Sequence, residues 1–556
     1  MFEQDQLYFI PLGGSEEFGT NLNVYSWNGD LLAIDCGIGF ADHNLPLVDI
    51  VLPDPTFLRE RKQHLKGMII THAHEDHIGA VAYLWKHLQC PIYCTPFTAA
   101  VLRHKFNDQK ESGKGYKIIE VEPYKTFSIG PFKIHPVPVT HSIPESASYF
   151  IETPKGNTVL HSGDWNMDAT PVIGKPFDKA PFVKAGEQGL MAYIGDSTNA
   201  NVQGRGTSEQ AVEEGLEKLF AEVQGRIAIT MFSSNIGRIQ SIMKAAQKDN
   251  RSVCVIGRSL HRMIGCAYET GYLRNMPEFI DEDDLSYLPA DKTVLVVTGS
   301  QGEPQSALAR IARGDYEGIK LGKGDTVIFS ARAIPGNEKE INAVKNMLAA
   351  SKVRIITPDD TKYKIHSSGH PYADEVRDMF GFTKPKAVIP VHGERMHLEA
   401  QGDIARECGV KHVVIPKNGS VIRITPDGAE LVGEVETGHL AVEPNRVIAT
   451  DHEALRARRK LQYSGAVHIS LAMTARGDFL PRPRIDIIGL VDPEYDGDMN
   501  LQKDIQEEIS DIMMDIDAEE RQDVPWLEEE LRKEIRKYLQ RLFGFKPLVN
   551  VHILQV

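Results

Sequence analysis

The sequence has few cysteines and no long apolar run. Its six cysteines are scattered over 556 residues without a Cys-x-x-Cys pair, which is typical of a reducing compartment. No apolar stretch approaches the roughly 20 residues of a membrane span. The first residues are acidic and polar where a secretory signal needs a basic and an apolar part. These absences predict a soluble, cytoplasmic protein.

Internal repeats and low-complexity tracts are also missing. The composition, with 42% hydrophobic and 25% charged residues, is that of a globular protein. A chain of 556 residues is too long for one ordinary core. We therefore expect two to four domains.

Positive charge is scarce in one part of the chain. Residues 492–530 hold sixteen acidic side chains against Lys503 and Arg521, a local balance of −14 in a total of −15. The rest of the chain carries about −1 and can present a basic groove, so the net charge does not exclude a nucleic acid. The acidic segment itself is predicted to be a solvated helix, because apolar residues recur in it at helical spacing. These residues are Leu501, Ile505, Ile509, Ile512 and Met513.

Strand patterns dominate the first 200 residues. Three short strands are predicted at Leu7–Ile10, Leu22–Trp27 and Leu31–Ile34, and the turns between them favour an antiparallel meander. Further strands alternate with short helices from 67 to 195. The pattern predicts an α/β sandwich.

The pattern changes at Thr207, which can form a capping box with Gln210 at the start of a helix. Strands and helices then alternate, which predicts a parallel sheet with helices on its faces. A strand at 387–392 again ends in a histidine, as at 72, so we expect the second domain to be inserted into the first. The predicted bounds are 1–204 and 361–448 for the first domain, 205–360 for the inserted domain, 449–464 for a linker and 465–556 for a small α+β C-terminal domain.

Four potential metal ligands lie within six residues. They belong to the segment His72-Ala73-His74-Glu75-Asp76-His77, which directly follows an apolar run. Imidazole suits zinc, and a carboxylate in the same turn allows a second cation to bind beside the first. Paired cations lower the pKa of a bound water and hold the attacking and leaving oxygens, which points to hydrolysis. The alternative is a polar loop of locally hydrogen-bonded histidines, and the density of ligands disfavours it.

Two cations need further ligands from other strand ends. His141, Asp164 and His392 each follow a predicted strand. Taken alone, each of these residues could equally be a hydrogen-bonded residue at a strand end. Their order along the chain after the motif at 72–77 favours the interpretation that they are metal ligands.

The whole set resembles the metallo-β-lactamase superfamily. The resemblance implies an αββα sandwich with two divalent cations, Zn²⁺ or, since the same ligands accept it, Mn²⁺. One cation would be bound by His72, His74 and His141, the other by Asp76, His77 and His392, with Asp164 bridging them. Asp35 and Glu75 would support the ligands from behind.

The inserted segment resembles the β-CASP domain of superfamily members that act on nucleic acids. Its motif aspartate matches Asp196 in Gly195-Asp196-Ser197-Thr198-Asn199, and its motif histidine matches His370. The resemblance implies Asp76, Asp196 and His370 as catalytic residues. We choose His370 to stabilise or protonate the leaving 3′ oxygen, because imidazole titrates near neutrality.

Over its whole length the chain resembles the bacterial ribonuclease J family. The matching strings include His74-Glu75-Asp76-His77-Ile78-Gly79, Thr140-His141-Ser142-Ile143-Pro144-Glu145-Ser146 and Gly299-Ser300-Gln301-Gly302-Glu303-Pro304. Glu145 and Gly237 depart from the usual pattern, which has aspartate and histidine there.

This resemblance implies a metal-dependent ribonuclease that degrades single-stranded RNA 5′-to-3′ from 5′-monophosphate ends. The products would be nucleoside 5′-monophosphates, and endonuclease activity is implied as well. It further implies a role in RNA decay and in rRNA and mRNA maturation, no membrane association, and a homodimer or homotetramer formed through the C-terminal domain.

A preference for a 5′-monophosphate requires a phosphate pocket. Ser233, Ser234, Asn235 and Arg238 lie at a predicted strand-to-helix junction, where helix N-termini favour anions. Plain helix capping is the alternative role for the two serines. The predicted second wall consists of His366, Ser367, Ser368, Gly369 and His370.

Three other functions compete with this hypothesis. A small-molecule hydrolase of the superfamily is disfavoured by the insertion and its motifs. An inactive RNA-binding scaffold is disfavoured because all seven ligand positions are intact. A β-CASP nuclease acting on DNA is the nearest competitor, and only the whole-length resemblance to ribonuclease J disfavours it.

Overall fold

The computed structural model describes most of the chain, namely residues 3–41, 44–109, 115–334, 336–444, 446–474, 476–480, 482–490 and 500–556. The chain divides into two compact units, Met1–Gly39 with Val51–His439 and Phe40–Ile50 with Leu440–Val556. Residues 492–499 of the predicted acidic segment lie outside the described residues. None of the described helices is long and apolar enough to cross a membrane.

The strands of the first unit and its boundary are β1 Leu7–Gly13, β2 Leu22–Trp27, β3 Asp30–Ile34, β4 Gly39–Phe40, β5 Ile50–Pro53, β6 Leu65–Ile69, β7 Ile92–Cys94, β8 Ile118–Glu120, β9 Phe127–Ile129, β10 Phe132–Pro138, β11 Ala147–Glu152, β12 Thr158–His161, β13 Ala192–Asp196, β14 Ile227–Thr230, β15 Ser252–Ile256, β16 Thr293–Val297, β17 Thr326–Phe329, β18 Arg354–Ile356, β19 Ala387–Val391, β20 His412–Val413, β21 Ser420–Thr425 and β22 Gly428–Glu434. Its helices are α1 Thr56–Glu60, α2 Glu75–Ile78, α3 Val81–Leu88, α4 Pro96–Asp108, α5 Ala180–Gln188, α6 Glu209–Glu222, α7 Ile236–Lys248, α8 Arg258–Glu269, α9 Ala307–Arg313, α10 Glu338–Ala350, α11 Ala373–Thr383 and α12 Arg395–Glu407. The second unit adds β23 His439–Glu443, β24 Arg446–Ala449, α13 Glu453–Ser464, β25 Ala466–Met473, β26 Arg484–Ile488, α14 Leu501–Asp515, α15 Val524–Phe543 and β27 Leu548–Gln555.

Two mixed sheets face each other in the first unit. One has the order β22-β21-β1-β2-β3-β6-β7-β8 and the other β20-β19-β13-β12-β11-β10-β9. The predicted meander is confirmed, because β1, β2 and β3 pair antiparallel. Side chains such as Phe9 and Ile34 from one sheet and Tyr149 and Ile389 from the other form a shared core. Burial of this apolar area is the main stabilisation of the sandwich.

Helices cover the outer faces of these sheets. On the second sheet, α5, α11 and α12 bury residues such as Phe182, Phe380 and Ile404 against Leu160 and Val388. On the first, α3 and α4 contact each other and α4 contacts β8. The arrangement is the αββα sandwich that the sequence predicts.

The inserted domain lies between β13 and β19. These two strands are parallel neighbours, with Ala192 opposite Ala387 and Asp196 opposite Val391. Between them the chain forms a separate sheet in the order β15-β16-β14-β17-β18. All its pairs are parallel, as βαβ connections require. The prediction of an inserted parallel α/β domain is therefore confirmed.

The first helix of the inserted domain starts one residue later than the capping-box prediction. Ser208, not Thr207, is the N-cap, and its Oγ accepts a hydrogen bond from the backbone N–H of Ala211 at 3.2 Å. Both residues are good caps, so the sequence alone does not distinguish them.

The second unit contains a three-stranded sheet in the order β26-β25-β27. Helices α14 and α15 pack on one face of it, and their apolar stripes include Ile505, Ile509, Leu531 and Ile535. The segment 449–464, predicted as a linker, is largely helical as α13.

The basic side of α15 is balanced by acidic neighbours. Arg532, Lys533 and Lys537 each pair with a glutamate three residues earlier in the helix. Exposed pairs of this kind contribute little to stability. They do neutralise a surface that would otherwise be positive.

Candidate metal centre and active site

All seven predicted ligands meet at one edge of the sandwich. Strands β10, β12 and β19 end in the same direction, and they bring His141, Asp164 and His392 beside the loop that follows β6. Two groups share Asp164, and the ligand atoms within each lie within 4.8 Å of one another. The groups are His72, His74, His141 and Asp164, and Asp76, His77, Asp164 and His392.

Asp164 lies at the centre of both groups. Its Oδ2 is buried and has no hydrogen-bond partner among the described residues. The Nε2 atoms of His77, His392 and His72 surround this oxygen at 3.2, 3.4 and 3.6 Å. A buried carboxylate oxygen without a donor is costly. The donor set, mainly imidazole with two carboxylates, therefore fits divalent cations.

Hydrogen bonds at Nδ1 orient the imidazoles of His72, His77 and His141. His77 donates to Asp35 Oδ2 at 2.8 Å and His141 to the carbonyl of Gly369 at 2.7 Å. The Nδ1 of His72 lies 3.0 Å from Thr71 Oγ1, which itself donates to Asp35. These bonds leave Nε2 of each ring directed inward, as metal ligation requires.

Asp35 lies behind the ligands as the sequence predicts. It also accepts from the backbone N–H of Thr71 at 2.7 Å, so one carboxylate fixes both ends of the ligand loop. Asp35 and His392 both have positive φ, +62° and +57°. Such backbone costs of order 1–3 kcal/mol per residue and concentrates at functional sites.

Glu75 differs from its prediction. It is the first residue of α2, and its carboxylate pairs with Lys105 Nζ at 2.6 Å on the exposed side. His74 and His77 face the centre, and helical geometry directs the side chain between them away from it. The side chain of Glu75 therefore does not support the ligands from behind.

The electrostatics of the centre favour cations. Burial lowers the pKa of His72 and His74, and it lowers the pKa of His141 to about 4, so these rings are neutral and able to bind a metal. Burial also lowers the pKa of His77 and His392, but the nearby carboxylates, Asp164 and Asp76 among them, together outweigh it and both pKa values are raised. The carboxylates thus attract positive charge to this side of the centre.

His370 lies beside the ligands and is held by Asp196. Its Nδ1 donates to Asp196 Oδ2 at 2.8 Å and lies 3.8 Å from Asp164 Oδ2. Burial lowers the pKa of His370, but the charge and hydrogen bond of Asp196, together with the charges of Asp164 and Asp76, raise it to about 9. An imidazolium next to a hydrolytic centre is suited to donate a proton.

Three of the five residues predicted as the second wall of the phosphate pocket line a cavity of about 150 Å³, namely His366, Ser367 and Ser368. Gly369 and His370 are not part of its lining. Ser368 Oγ accepts from Asn199 Nδ2 at 2.8 Å, and Ser367 Oγ donates to the carbonyl of Thr207. Burial and two arginines lower the pKa of His366 to about 3. Its Nδ1 has no partner within the described ranges, so a neutral imidazole nitrogen is available there.

The other wall is more deeply buried than expected. Ser234 and Asn235 are 8% and 7% exposed. Ser234 Oγ lies 3.0 Å from Nε2 of His74, and Asn235 Oδ1 caps α7 by accepting from the N–H of Arg238. Ser233 precedes them in the same turn.

Arg238 has a full set of protein partners. It is 1% exposed, its guanidinium forms an ion pair with Glu209, and it donates to Ser330 and to the carbonyl of Ile365. These contacts connect the starts of α6 and α7 with the segment that leads to the cavity. The phosphate contact predicted for Arg238 stays a prediction.

Replacing Arg238 by alanine is expected to destabilise the protein by about 3–5 kcal/mol, because the Glu209 carboxylate, whose side chain is only 13% exposed, loses its charged partner. Urea-induced unfolding measures the effect. Arg258→Ala, which removes an exposed arginine, is the control and is expected to change stability by less than about 0.5 kcal/mol. Equal stability of the two variants contradicts the structural role of Arg238.

Sequence reasoning missed two residues of the site. Asn21 donates through Nδ2 to the carbonyl of Asp76 at 3.0 Å and lies 3.0 Å from His392 Nδ1. Asn199 belongs to the Asp196 motif, but no role followed from the motif alone. Side-chain amides so far from their partners in sequence give no local signal.

Comparison with known proteins agrees with this fold and site. Family models match four segments: the β-lactamase superfamily domain over 32–183, the ribonuclease J β-CASP domain over 224–348, the Zn-dependent metallo-hydrolase RNA specificity domain over 361–416 and the ribonuclease J C-terminal domain over 453–556. They define a metallo-β-lactamase-fold protein with an inserted β-CASP domain.

Similar full-length proteins narrow the class. Ribonuclease J of Sinorhizobium meliloti is 39% identical over 100% of this chain and 98% of that protein. Ribonuclease J of Helicobacter pylori strain B128 is 34% identical over 98% of this chain and 78% of its own length. Ribonuclease J of Mycolicibacterium smegmatis is 31% identical over 99% of this chain and 97% of its own length. The chain belongs to the ribonuclease J family.

A solved structure shares the fold. It is a protein of unknown function from Enterococcus faecalis V583, with a TM-score of 0.53 and 15% identity over 75% of this chain and 100% of that one. At this identity the likeness concerns the fold alone.

Proposed function

We propose that the chain is a metal-dependent ribonuclease that degrades single-stranded RNA 5′-to-3′ from 5′-monophosphate ends and also cuts internally. Membership of the ribonuclease J family supports RNA as the substrate. The observation that carries the chemistry is His370, which is fixed by Asp196 and lies 3.8 Å from the Asp164 carboxylate at the ligand centre. A role in RNA decay and in rRNA and mRNA maturation belongs to the same proposal.

The seven ligands would hold two divalent cations, with Asp164 between them. We propose Zn²⁺, which the predominance of imidazole favours, with Mn²⁺ as the alternative that elemental analysis distinguishes. Bound cations supply a water of lowered pKa and neutralise charge on the phosphate.

His370 acts on the leaving group. As the oxygen of water bonds to phosphorus and this water releases one proton to the solvent, the bond from phosphorus to the 3′ oxygen breaks. The His370 imidazolium gives its proton to that 3′ oxygen and regains one from the solvent. Asp196 accepts the Nδ1–H of His370 and so keeps the Nε2 side of the ring for the substrate. The phosphate remains on the 5′ side of each product, so stepwise cutting releases nucleoside 5′-monophosphates.

The cavity beside Ser367 and Ser368 is the proposed site of the terminal phosphate. The hydroxyl of Ser368, which accepts from Asn199 and keeps its own hydrogen to donate, and nearby Arg332 offer a hydrogen bond and positive charge there. A monophosphate fills such a cavity, whereas a triphosphate adds bulk and charge.

RNA with a 5′-monophosphate is expected to be degraded about 10–100-fold faster than RNA with a 5′-triphosphate or 5′-hydroxyl end, since one or two charge-assisted hydrogen bonds contribute about 1.5–3 kcal/mol. End-labelled RNAs of one sequence and the matching single-stranded DNA test this in gel and thin-layer assays. The His77→Ala variant is the inactive control. Equal rates on the DNA would favour the DNA nuclease instead, and equal rates on all three RNA ends contradict the phosphate pocket.

We also propose that the C-terminal domain forms a homodimer, which can pair further into a tetramer. Ile488 and Leu554, in two strands of its sheet, are 58% and 53% exposed and suit burial against a second copy. Sedimentation of the full chain over a range of concentrations measures its mass.

A further inference from the structure

Among the described residues, one side chain of the inserted domain forms a hydrogen bond with a ligand histidine. The outer nitrogens of His72, His77 and His141 have partners in the ligand loop, in Asp35 and in the loop before α11. His74 alone among these four uses a residue of the inserted domain. Its Nε2 lies 3.0 Å from Oγ of Ser234, between β14 and α7.

The geometry fixes the direction of this hydrogen bond. Nδ1 of His74 lies 3.0 Å from Nε2 of His72 and 3.0 Å from Nε2 of His141, so the three nitrogens converge on one point. A ring that offers Nδ1 to a cation carries its hydrogen on Nε2. His74 therefore donates to Ser234 Oγ.

The hydroxyl hydrogen of Ser234 remains available. No protein acceptor for it is found in the described part of the chain, and the residue lies in the turn that was predicted to meet phosphate. A phosphate oxygen of bound RNA can accept it. The serine would then receive a hydrogen bond from His74 and donate one to RNA, and each bond polarises the other.

The turn that carries Ser234 is held in place. Asn235 accepts from the N–H of Arg238 at 2.8 Å and donates to Glu209 at 3.2 Å, and Arg238 is buried in its own network. The position of Ser234 is thus set by the inserted domain and not by the sandwich.

We infer that Ser234 is a positioning residue that orients His74 and thereby couples the RNA-binding domain to metal affinity. The inference rests on the proposed metal binding of the centre. Partners of ligating histidines typically change metal affinity 10–100-fold when removed, because they set ring orientation and ligand basicity. RNA bound at Ser234 would strengthen the same bond, and by linkage the metal would strengthen RNA binding.

The test is metal retention in the absence of RNA. Full-length wild type, Ser234→Ala, Ser234→Thr and the exposed Ser259→Ala are loaded with Zn²⁺ and titrated with a chelator, and the metal retained is measured by elemental analysis. We expect Ser234→Ala to release zinc at a free chelator concentration about 10–100-fold lower than the wild type requires. Ser234→Thr keeps a hydroxyl and is expected to match wild type, as is Ser259→Ala.

Retention by Ser234→Ala within twofold of wild type overturns the inference, and so does equal loss in Ser234→Thr. Thermal unfolding of the metal-free proteins separates a general loss of stability, which lowers the midpoint without a selective change in zinc affinity, from the positioning role. A wild type that binds no divalent metal refutes the proposed function itself. A wild type that binds zinc beside an unaffected Ser234→Ala variant refutes only the coupling.

Discussion

Asp164→Asn is expected to lower bound metal from two ions to at most one per chain and to reduce RNA cleavage by about 10³-fold or more. Asparagine has nearly the same shape but no negative charge, and its amide offers hydrogens where a ligand needs lone pairs. Asp164 belongs to both groups of ligand atoms at the centre, the one with His72, His74 and His141 and the one with Asp76, His77 and His392. A loss of several kcal/mol of charge stabilisation corresponds to that change in rate.

Elemental analysis and the turnover of 5′-monophosphorylated RNA measure the two effects. Asp178→Asn, an exposed aspartate, is the matched control and should change neither. An Asp164→Asn protein with two bound ions and wild-type turnover would falsify the assignment of this residue as the bridging ligand.

The sequence predicts the ligand centre well because its signals are local. His72, His74, Asp76 and His77 occur together, and His141, Asp164 and His392 each follow an apolar strand whose pattern is clear. Parallel strands that end at one edge then bring these residues together, since β12, β13 and β19 run in the same direction. The structure confirms the sandwich and the parallel inserted sheet for the same reason.

Side-chain partners are not predictable in this way. The hydrogen bond between His74 and Ser234 spans 160 residues, and that between His141 and Gly369 spans 228. The sequence predicts that Arg238 contacts phosphate because of its position near the start of a helix. Only the fold shows that its guanidinium contacts Glu209, Ser330 and Ile365. Local pattern predicts where a residue is placed, while tertiary packing decides what it contacts.

The charge of α15 is less predictable than the ligand centre but more predictable than the side-chain partners. Its five basic residues predict a basic surface when they are counted alone. Glutamates lie three positions earlier in the sequence, and helix geometry places residues i and i+3 side by side. The charge balance of this helix therefore follows from residue spacing, without any information on tertiary packing.

His370→Ala is expected to reduce cleavage about 10²–10⁴-fold while leaving metal content unchanged, because His370 donates a proton and is not one of the seven ligands. The Asp196→Asn variant distinguishes the contribution of the His370 proton to the rate from the contribution of the position of the His370 ring. In the wild type, burial lowers the pKa of His370, but Asp196, Asp164 and Asp76 together raise it to about 9, so the ring is protonated at neutral pH and loses its proton as pH rises through about 9. When asparagine replaces Asp196, less negative charge offsets the effect of burial, and the pKa of His370 falls.

The rate profile of Asp196→Asn should therefore lose activity on its basic side at a lower pH than the wild type, and the rate at pH 7 should fall more than the rate at pH 5.5. Steady-state rates on 5′-monophosphorylated RNA from pH 5 to 10 measure this, with Asp178→Asn as the control. A shift of the basic limb in the opposite direction, or none, contradicts His370 as the general acid. A uniform loss at every pH would instead assign Asp196 to holding the ring in place, because a misplaced imidazole donates poorly whatever its protonation state.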